Sequence, residues 1–173
     1  MNIIREYFIP ILPTPALRIN NSGGKGQGNW VLKQDDDYLA KYDEKRLKEG
    51  KQGYALRKKR QIEKYYAFKD EVAFWFKKNN IEPPYKNFSI TFFIPVGDSI
   101  RQKVAEKRYG TDHEQRPDAD NCFKAFADSF NKRSTMKYID YNDSITNRFF
   151  VKKVWCKQGE EGIMIREYDY LDL

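Results

Sequence analysis

The chain has 173 residues and a formal net charge of +7, and its pI is about 9.2. This length corresponds to one domain that can bury a sizeable core, and the positive balance suits a polyanionic partner such as nucleic acid. No apolar run reaches the roughly 20 residues that a membrane-spanning helix needs. A single histidine without any C-x-x-C spacing does not favour a zinc site.

The cysteine content and the N-terminus indicate the compartment. Cys122 and Cys156 lie far apart in the sequence, which fits buried thiols in a reducing compartment better than a disulfide framework. The N-terminus lacks a basic region followed by an apolar segment and a small-residue cleavage site, so no secretory signal is expected. These features predict a cytoplasmic protein.

The N-terminal part predicts one strand followed by irregular chain. Residues 2–12 are rich in Ile, Tyr and Phe and predict a strand that ends at Pro13. An extended segment over 13–18 carries Arg18, and a loop over 20–29, rich in Gly, Asn and Ser, carries Lys25. This loop either offers backbone N–H groups to phosphates or is a plain connection, and the sequence favours neither.

The segment from 35 to 78 is predicted to contain two helices separated by a break at residues 52–54. The acidic run at 35–37 is better explained as a solvated turn or helix start than as a metal cluster. A short helix is expected over 38–49, and a long one from residue 55 or 57 to 78, because apolar residues keep helical spacing. From 45 to 64 there are nine Lys or Arg against two Glu. The start of the long helix is therefore either a solvated charged face or a contact with a DNA backbone.

The C-terminal half predicts three more strands. Residues 87–95 alternate in the manner of a strand, and a short helix is expected over 99–108. Strands over 145–155 and 162–168, joined by a turn, are predicted to form a hairpin. The order of elements indicates a single α/β (α+β) domain over 1–173, with a mixed sheet packed by helices. Residues 167–173 are acidic, and we expect them to form a solvated or loosely docked tail.

The segment 116–130 is the most informative part of the sequence. It places Asp118 and Asp120 just after a proline, and the residues that follow have the spacing of an amphipathic helix. Asp120, Lys124 and Asp128 lie one turn apart on the polar side. These acids either cap the helix and pair with the lysine, or they form a carboxylate site.

A second acidic motif follows at residues 141–145, with the sequence Y-N-D-S-I. The combined pattern R-P-D-x-D-N-x-x-K-x-x-x-D and then x-D-S-I resembles the RusA-type Holliday junction resolvases. The family has an acid where Asn142 stands and a Gln after the position of Ser144, and its spacer is a few residues shorter. The third acid of the family therefore corresponds to Asp143, with Asp140 as the alternative register.

The resemblance implies an enzyme and its active site. It implies a Mg²⁺-dependent endodeoxyribonuclease, with Mn²⁺ able to substitute, that makes paired nicks in four-way junctions during recombination and repair. Asp118, Asp120 and Asp143 would hold the metal, as hard oxygen ligands suit Mg²⁺. Lys124 completes the catalytic set and either neutralises the pentacovalent phosphate or holds the attacking water. Asp128 would have a structural or supporting role.

The resemblance also implies an assembly and a cellular setting. The protein would be an intertwined homodimer that binds branched DNA, is associated with the nucleoid and is encoded by a bacterium or a phage. Residues 35–53 would be a variable insertion. The basic residues expected to contact DNA are Arg18, Lys25, Arg57, Lys58, Lys59, Arg60 and Arg116.

Two alternative functions remain open. One is a non-catalytic nucleic-acid-binding module in which the acids only cap a helix. Clustered acids argue against this alternative, because negative charges do not help a protein to bind phosphate. The other is a nuclease for flaps or other branched DNA with the same site, which the sequence does not distinguish from a junction resolvase.

Overall fold

The computed structural model describes residues 2–17, 27–84, 86–97, 100–130 and 149–169. The chain divides into two compact units, one formed by 1–16 with 68–173 and the other by 17–67. Within the described ranges, no helix is both long enough and apolar enough to cross a membrane. The described elements are β1 (Ile3–Ile9), α1 (Gln27–Leu32), α2 (Asp36–Lys48), α3 (Ala55–Lys78), β2 (Phe88–Pro95), α4 (Gln102–Arg108), α5 (Ala119–Asp128), β3 (Phe149–Cys156) and β4 (Gly162–Tyr168).

The first unit contains a mixed four-stranded sheet in the order β1-β4-β2-β3. β4 pairs antiparallel with β1 and with β2, whereas β2 pairs parallel with β3. β2 is central because its alternate residues Phe88, Ile90 and Phe92 are apolar and fully buried. This architecture confirms the predicted α+β class with a mixed sheet packed by helices.

The predicted hairpin of the last two strands is wrong, because β2 lies between β3 and β4. The connection between them passes the end of β2, where Val96 N–H donates to the Cys156 carbonyl at 3.1 Å. The Gln158 side chain in turn donates to the Val96 carbonyl at 3.0 Å. β2 is thus flanked by a strand on each side, and its residues Phe88, Ile90 and Phe92 are fully buried.

Aromatic rings join the helices to one face of this sheet. Phe76 in the second half of α3 contacts Phe126 and Phe130, with ring centroids 6.0 and 5.0 Å apart. In α5, Phe123 stacks on Phe149 of β3 at 4.4 Å. Burial of large aromatic side chains is a major stabilising term in a core, so these contacts hold α5 against the end of β3.

The opposite face of the sheet is partly open. Side chains alternate between the two faces of a strand, so Phe150 points away from Phe149 and α5. Phe8 and Phe93 also lie on this face, with ring centroids 6.1 Å apart. Phe8 is 38% exposed and Phe150 46% exposed.

The second unit has its own small core. Val31, Leu39, Ala55 and Ile62 are buried together, which brings α1 and α2 onto the first half of α3. The loop predicted over 20–29 is wrong at its end, because α1 already begins at Gln27. That helix is only six residues long and takes its place through burial of Val31 rather than through a long periodic pattern.

The predicted acidic tail is wrong for its first two residues, which belong to β4. Glu167 accepts a hydrogen bond from Arg5 Nε at 2.7 Å and another from the Tyr7 hydroxyl at 3.2 Å. The Tyr168 hydroxyl lies 3.0 Å from the Ser89 hydroxyl. Pairing with β1 and β2 therefore extends the strand into the acidic segment, and residues 170–173 lie outside the described ranges.

Candidate active site

The segment 110–113 forms a short additional pairing on the free edge of β3. Gly110 N–H donates to the Trp155 carbonyl at 2.9 Å, and Trp155 N–H donates to the Thr111 carbonyl at 3.0 Å. His113 N–H donates to the Lys153 carbonyl at 3.0 Å. The chain that leads into the acidic motif is thereby fixed to the sheet up to His113.

Asp118 occupies the N-cap position of α5, but its carboxylate makes no capping hydrogen bond. Its backbone is extended, and its carbonyl accepts the first helical bond from Cys122 N–H at 3.2 Å. The carboxylate is contacted by the Asn121 side-chain amide at 3.4 Å. At the start of α2, in contrast, the Asp35 carboxylate accepts from Tyr38 N–H at 2.6 Å. Capping thus explains Asp35 but not Asp118.

The remainder of α5 separates an apolar face from a charged one. Cys122, Ala125 and Phe126 are completely buried, while Asp120 and Lys124 are exposed and one turn apart. In the part of the chain that the structure describes, the side chains of Asp118, Asp120 and Lys124 form no ion pair. The predicted carboxylate and lysine row is therefore present at the surface, next to the start of the helix.

Lys153 on β3 lies beneath the same loop and was not singled out by the sequence analysis. Its ammonium donates to the carbonyls of Gln115 at 2.7 Å and Pro117 at 2.5 Å. It also lies 3.4 Å from Nδ1 of His113. The sequence places two adjacent lysines in this strand. Because side chains alternate along a strand, the two lysines face opposite sides of the sheet. The packing of α5 decides which of them contacts the loop before the motif.

Both burial and nearby charges shift the pKa of the Cys122 thiol at this site. Burial raises the pKa of Cys122 to about 11, the ammonium of Lys153 opposes this rise, and the carboxylates of Asp120 and Asp118 add to it. Burial also lowers the pKa of His113, and the Lys153 charge lowers it further, so His113 is held in its neutral form.

Three of the four predicted catalytic residues lie at the start of α5 and are exposed. Asp118 and Asp120 flank the first residue of α5, and Lys124 follows one turn later. Asp143 and its alternative Asp140 lie outside the described ranges, so the choice between them stays a prediction.

The predicted DNA-contacting residues are in different situations. Arg57, Arg60 and Arg116 are exposed and Lys58 is half-buried. Lys59 is engaged inside the second unit, where its ammonium donates to the Gln34 carbonyl and to Asp36, both at 2.8 Å. Its side chain is only 13% exposed. Arg18 and Lys25 fall outside the described residues.

The carboxylates at the start of α5 have the donor chemistry that suits a divalent cation, and the described residues contain no group of three or more His, Cys, Asp or Glu side chains that could hold one. Asp118 and Asp120 offer exposed carboxylate oxygens without a cationic partner among the described residues, and hard oxygen donors of this kind suit Mg²⁺ or Mn²⁺. The carbonyls of Gln115 and Pro117 are already occupied by Lys153. A cation at this place would therefore be held by side-chain carboxylates and water.

Comparison with known proteins gives one family. The family model described as endodeoxyribonuclease RusA matches residues 44–166, which is more than two thirds of the chain. The match includes every described residue of the site. It begins inside the segment 35–53, and the assignment of that segment as a variable insertion stays a prediction. The chain shows no significant similarity to a curated protein or to a solved structure.

The two helix starts generate a prediction about stability. Replacing Asp35 with Ala should lower the free energy of unfolding by about 1 kcal/mol, the usual cost of a lost N-cap. Asp118→Ala should cost well below that value, because the carboxylate makes no capping bond. Urea denaturation followed by circular dichroism measures both variants. Equal losses would show that Asp118 acts as a cap in solution.

Proposed function

Because the chain belongs to the RusA endodeoxyribonuclease family, we propose that it is a metal-dependent nuclease that resolves four-way DNA junctions. It would make paired nicks in recombination and repair, at the nucleoid in the cytoplasm. The observation that carries this proposal is the pair of exposed carboxylates at the start of α5, of which Asp118 stands at the cap position without capping.

The proposed metal ligands are Asp118, Asp120 and Asp143. A bound Mg²⁺ or Mn²⁺ would supply a water of lowered pKa and stabilise charge on the scissile phosphate. Clustered carboxylates repel one another, so they favour a state in which a cation joins them. The need for a bound cation distinguishes a catalytic carboxylate site from a surface that only binds phosphate.

Lys124 has the position of a phosphate-binding group in this proposal. It follows Asp120 by one turn on the same exposed side of α5. Its ammonium would bind a non-bridging phosphate oxygen and offset the charge that grows there during cleavage. Asp128 lies one turn further along the helix and would serve the helix rather than the substrate.

The proposed DNA-binding cations act through phosphates. Arg57, Lys58, Arg60 and Arg116 are the described candidates, and Arg18 and Lys25 complete the predicted set. Lys59 contributes less, because its ammonium is already bonded to Gln34 and Asp36. Such contacts carry affinity for branched DNA without reading its sequence.

The first prediction for this function concerns catalysis. Asp118→Asn and Asp120→Asn should lower the rate of junction cleavage in Mg²⁺ by more than about 100-fold. Mutation of a residue that only orients a metal ligand already costs about 10–100-fold in metal affinity or activity, and loss of a ligand should cost more. Junction binding should be unchanged or tighter, because repulsion between carboxylate and phosphate is relieved. Asp143→Asn should behave in the same way. Cleavage of synthetic four-way, three-way, flap and linear duplex DNA measures both the rate and the substrate preference.

Matched acids provide the controls for that experiment. Asp37→Asn removes an exposed carboxylate in the first turn of α2 and should leave the rate unchanged. Asp140→Asn should also be active, and a loss there with an active Asp143→Asn would move the third ligand to Asp140. Near-parental nicking by Asp118→Asn or Asp120→Asn would refute the proposed active site.

A further prediction concerns the salt dependence of binding. Junction affinity should persist without Mg²⁺ and fall steeply with salt, because phosphate contacts release counterions. Arg57→Gln and Arg60→Gln should each reduce the slope of log K against log salt by about 0.9. Lys48→Gln is the matched control, since Lys48 is exposed and pairs with Glu44 at 2.8 Å. An affinity that stays flat with salt would remove the phosphate contacts from the proposal.

We also propose that the protein acts as a homodimer. Two opposed cuts in a junction with near two-fold symmetry require two active sites, and the half-exposed Phe8 and Phe150 give the sheet an apolar face that a second copy could cover. Sedimentation at micromolar concentration should therefore show a dimer. A species that stays near the chain mass of 20.6 kDa would contradict coordinated cutting by one assembly.

A further inference from the structure

The Lys153 side chain uses all of its hydrogen-bonding capacity on the loop before the acidic motif. An ammonium group has three donors, and its three neighbours are the Gln115 carbonyl, the Pro117 carbonyl and Nδ1 of His113. Ordering a lysine side chain costs rotamer entropy. The three convergent contacts offset that cost, so the arrangement differs from an ordinary surface lysine.

The neighbouring lysine shows the contrast. Lys152 points to the other face of β3, where its side chain is 57% exposed and pairs with Asp112 at 3.0 Å. An exposed pair of this kind contributes little. The two adjacent lysines therefore have the same chemistry and strand but different roles, since only Lys153 meets the motif loop.

The contacts of Lys153 fix the chain immediately before Asp118. His113 is tied to the sheet through the Lys153 carbonyl at 3.0 Å, and the Lys153 ammonium then holds Gln115 and Pro117. On the other side, the Asp118 carbonyl accepts from Cys122 N–H at 3.2 Å. The backbone of Asp118 is thus held between β3 and the first turn of α5.

The partners of Lys153 are all neutral, so its charge is not cancelled within this contact. The carbonyls carry no net charge, and burial together with the Lys153 charge lowers the pKa of His113.

We propose that Lys153 is a positioning residue that holds the loop carrying Asp118 and thereby sets the affinity of the carboxylate site for a divalent cation. This inference rests on the proposed metal site. It assigns Lys153 no contact with DNA or with the cation, and its action passes through the backbone of residues 115–118.

Direct Mn²⁺ binding to the full chain without DNA tests this inference, with electron paramagnetic resonance as the readout. Lys153→Met removes the three donors and keeps most of the side-chain length. It should raise the Kd for Mn²⁺ by about 10–100-fold, the usual effect of a group that orients a metal ligand. Lys152→Met is the matched control and should bind Mn²⁺ as the parent does.

A second substitution keeps the test decisive if Lys153→Met does not fold. Lys153→Arg retains the charge, but its planar fork cannot place donors on the same three acceptors, so its Kd should lie between those of the parent and Lys153→Met. Circular dichroism establishes that each variant is folded. If the cleavage rate is limited by metal affinity, raising the Mn²⁺ concentration should restore most of it.

The outcomes separate this inference from the function on which it rests. Parental Mn²⁺ affinity in a folded Lys153→Met or Lys153→Arg variant would overturn the role of Lys153 and leave the metal site intact. A parent protein that binds no Mn²⁺, or binds it equally well after Asp118→Asn, would overturn the metal site itself. Equal weakening by Lys152→Met would show a general effect of strand charge and would also overturn the inference.

Discussion

The parallel pairing of β3 with β2 is the contact on which the site depends. It extends from the pair Phe88 and Phe149 to the pair Pro95 and Cys156, and it leaves the other edge of β3 free. Residues 110–113 add to that edge and deliver the chain to α5. Because partners in a ladder share a face, Lys153 lies on the same side as the buried Phe92, directly under the incoming loop.

Burial on one side of α5 produces exposure on the other. The contact of Phe123 with Phe149 and the burial of Phe126 fix the rotation of the helix about its axis. With that rotation set, Asp120 and Lys124 must face solvent. The N-terminal end of a helix also favours negative charge, so the carboxylates are placed where the backbone helps to tolerate them.

Residues of one type perform different tasks in the two units. Asp35 caps α2 and Asp118 stands at the start of α5 without capping. Lys59 supports the contact of α3 with the chain before α2, whereas Arg57 and Arg60 remain exposed. Composition and spacing alone do not separate these cases, because each depends on the direction that a side chain takes after packing.

The sequence by itself determined the elements with a strong local period and the family motif. The spacing of α3, the alternation of β2 and the acidic start of α5 are local properties, so they could be predicted from neighbouring residues. The tertiary structure decided the insertion of β2 between β3 and β4, which no local pattern contains. It also decided which of Lys152 and Lys153 meets the motif, because both continue the same strand and only the side on which α5 buries its apolar face distinguishes them.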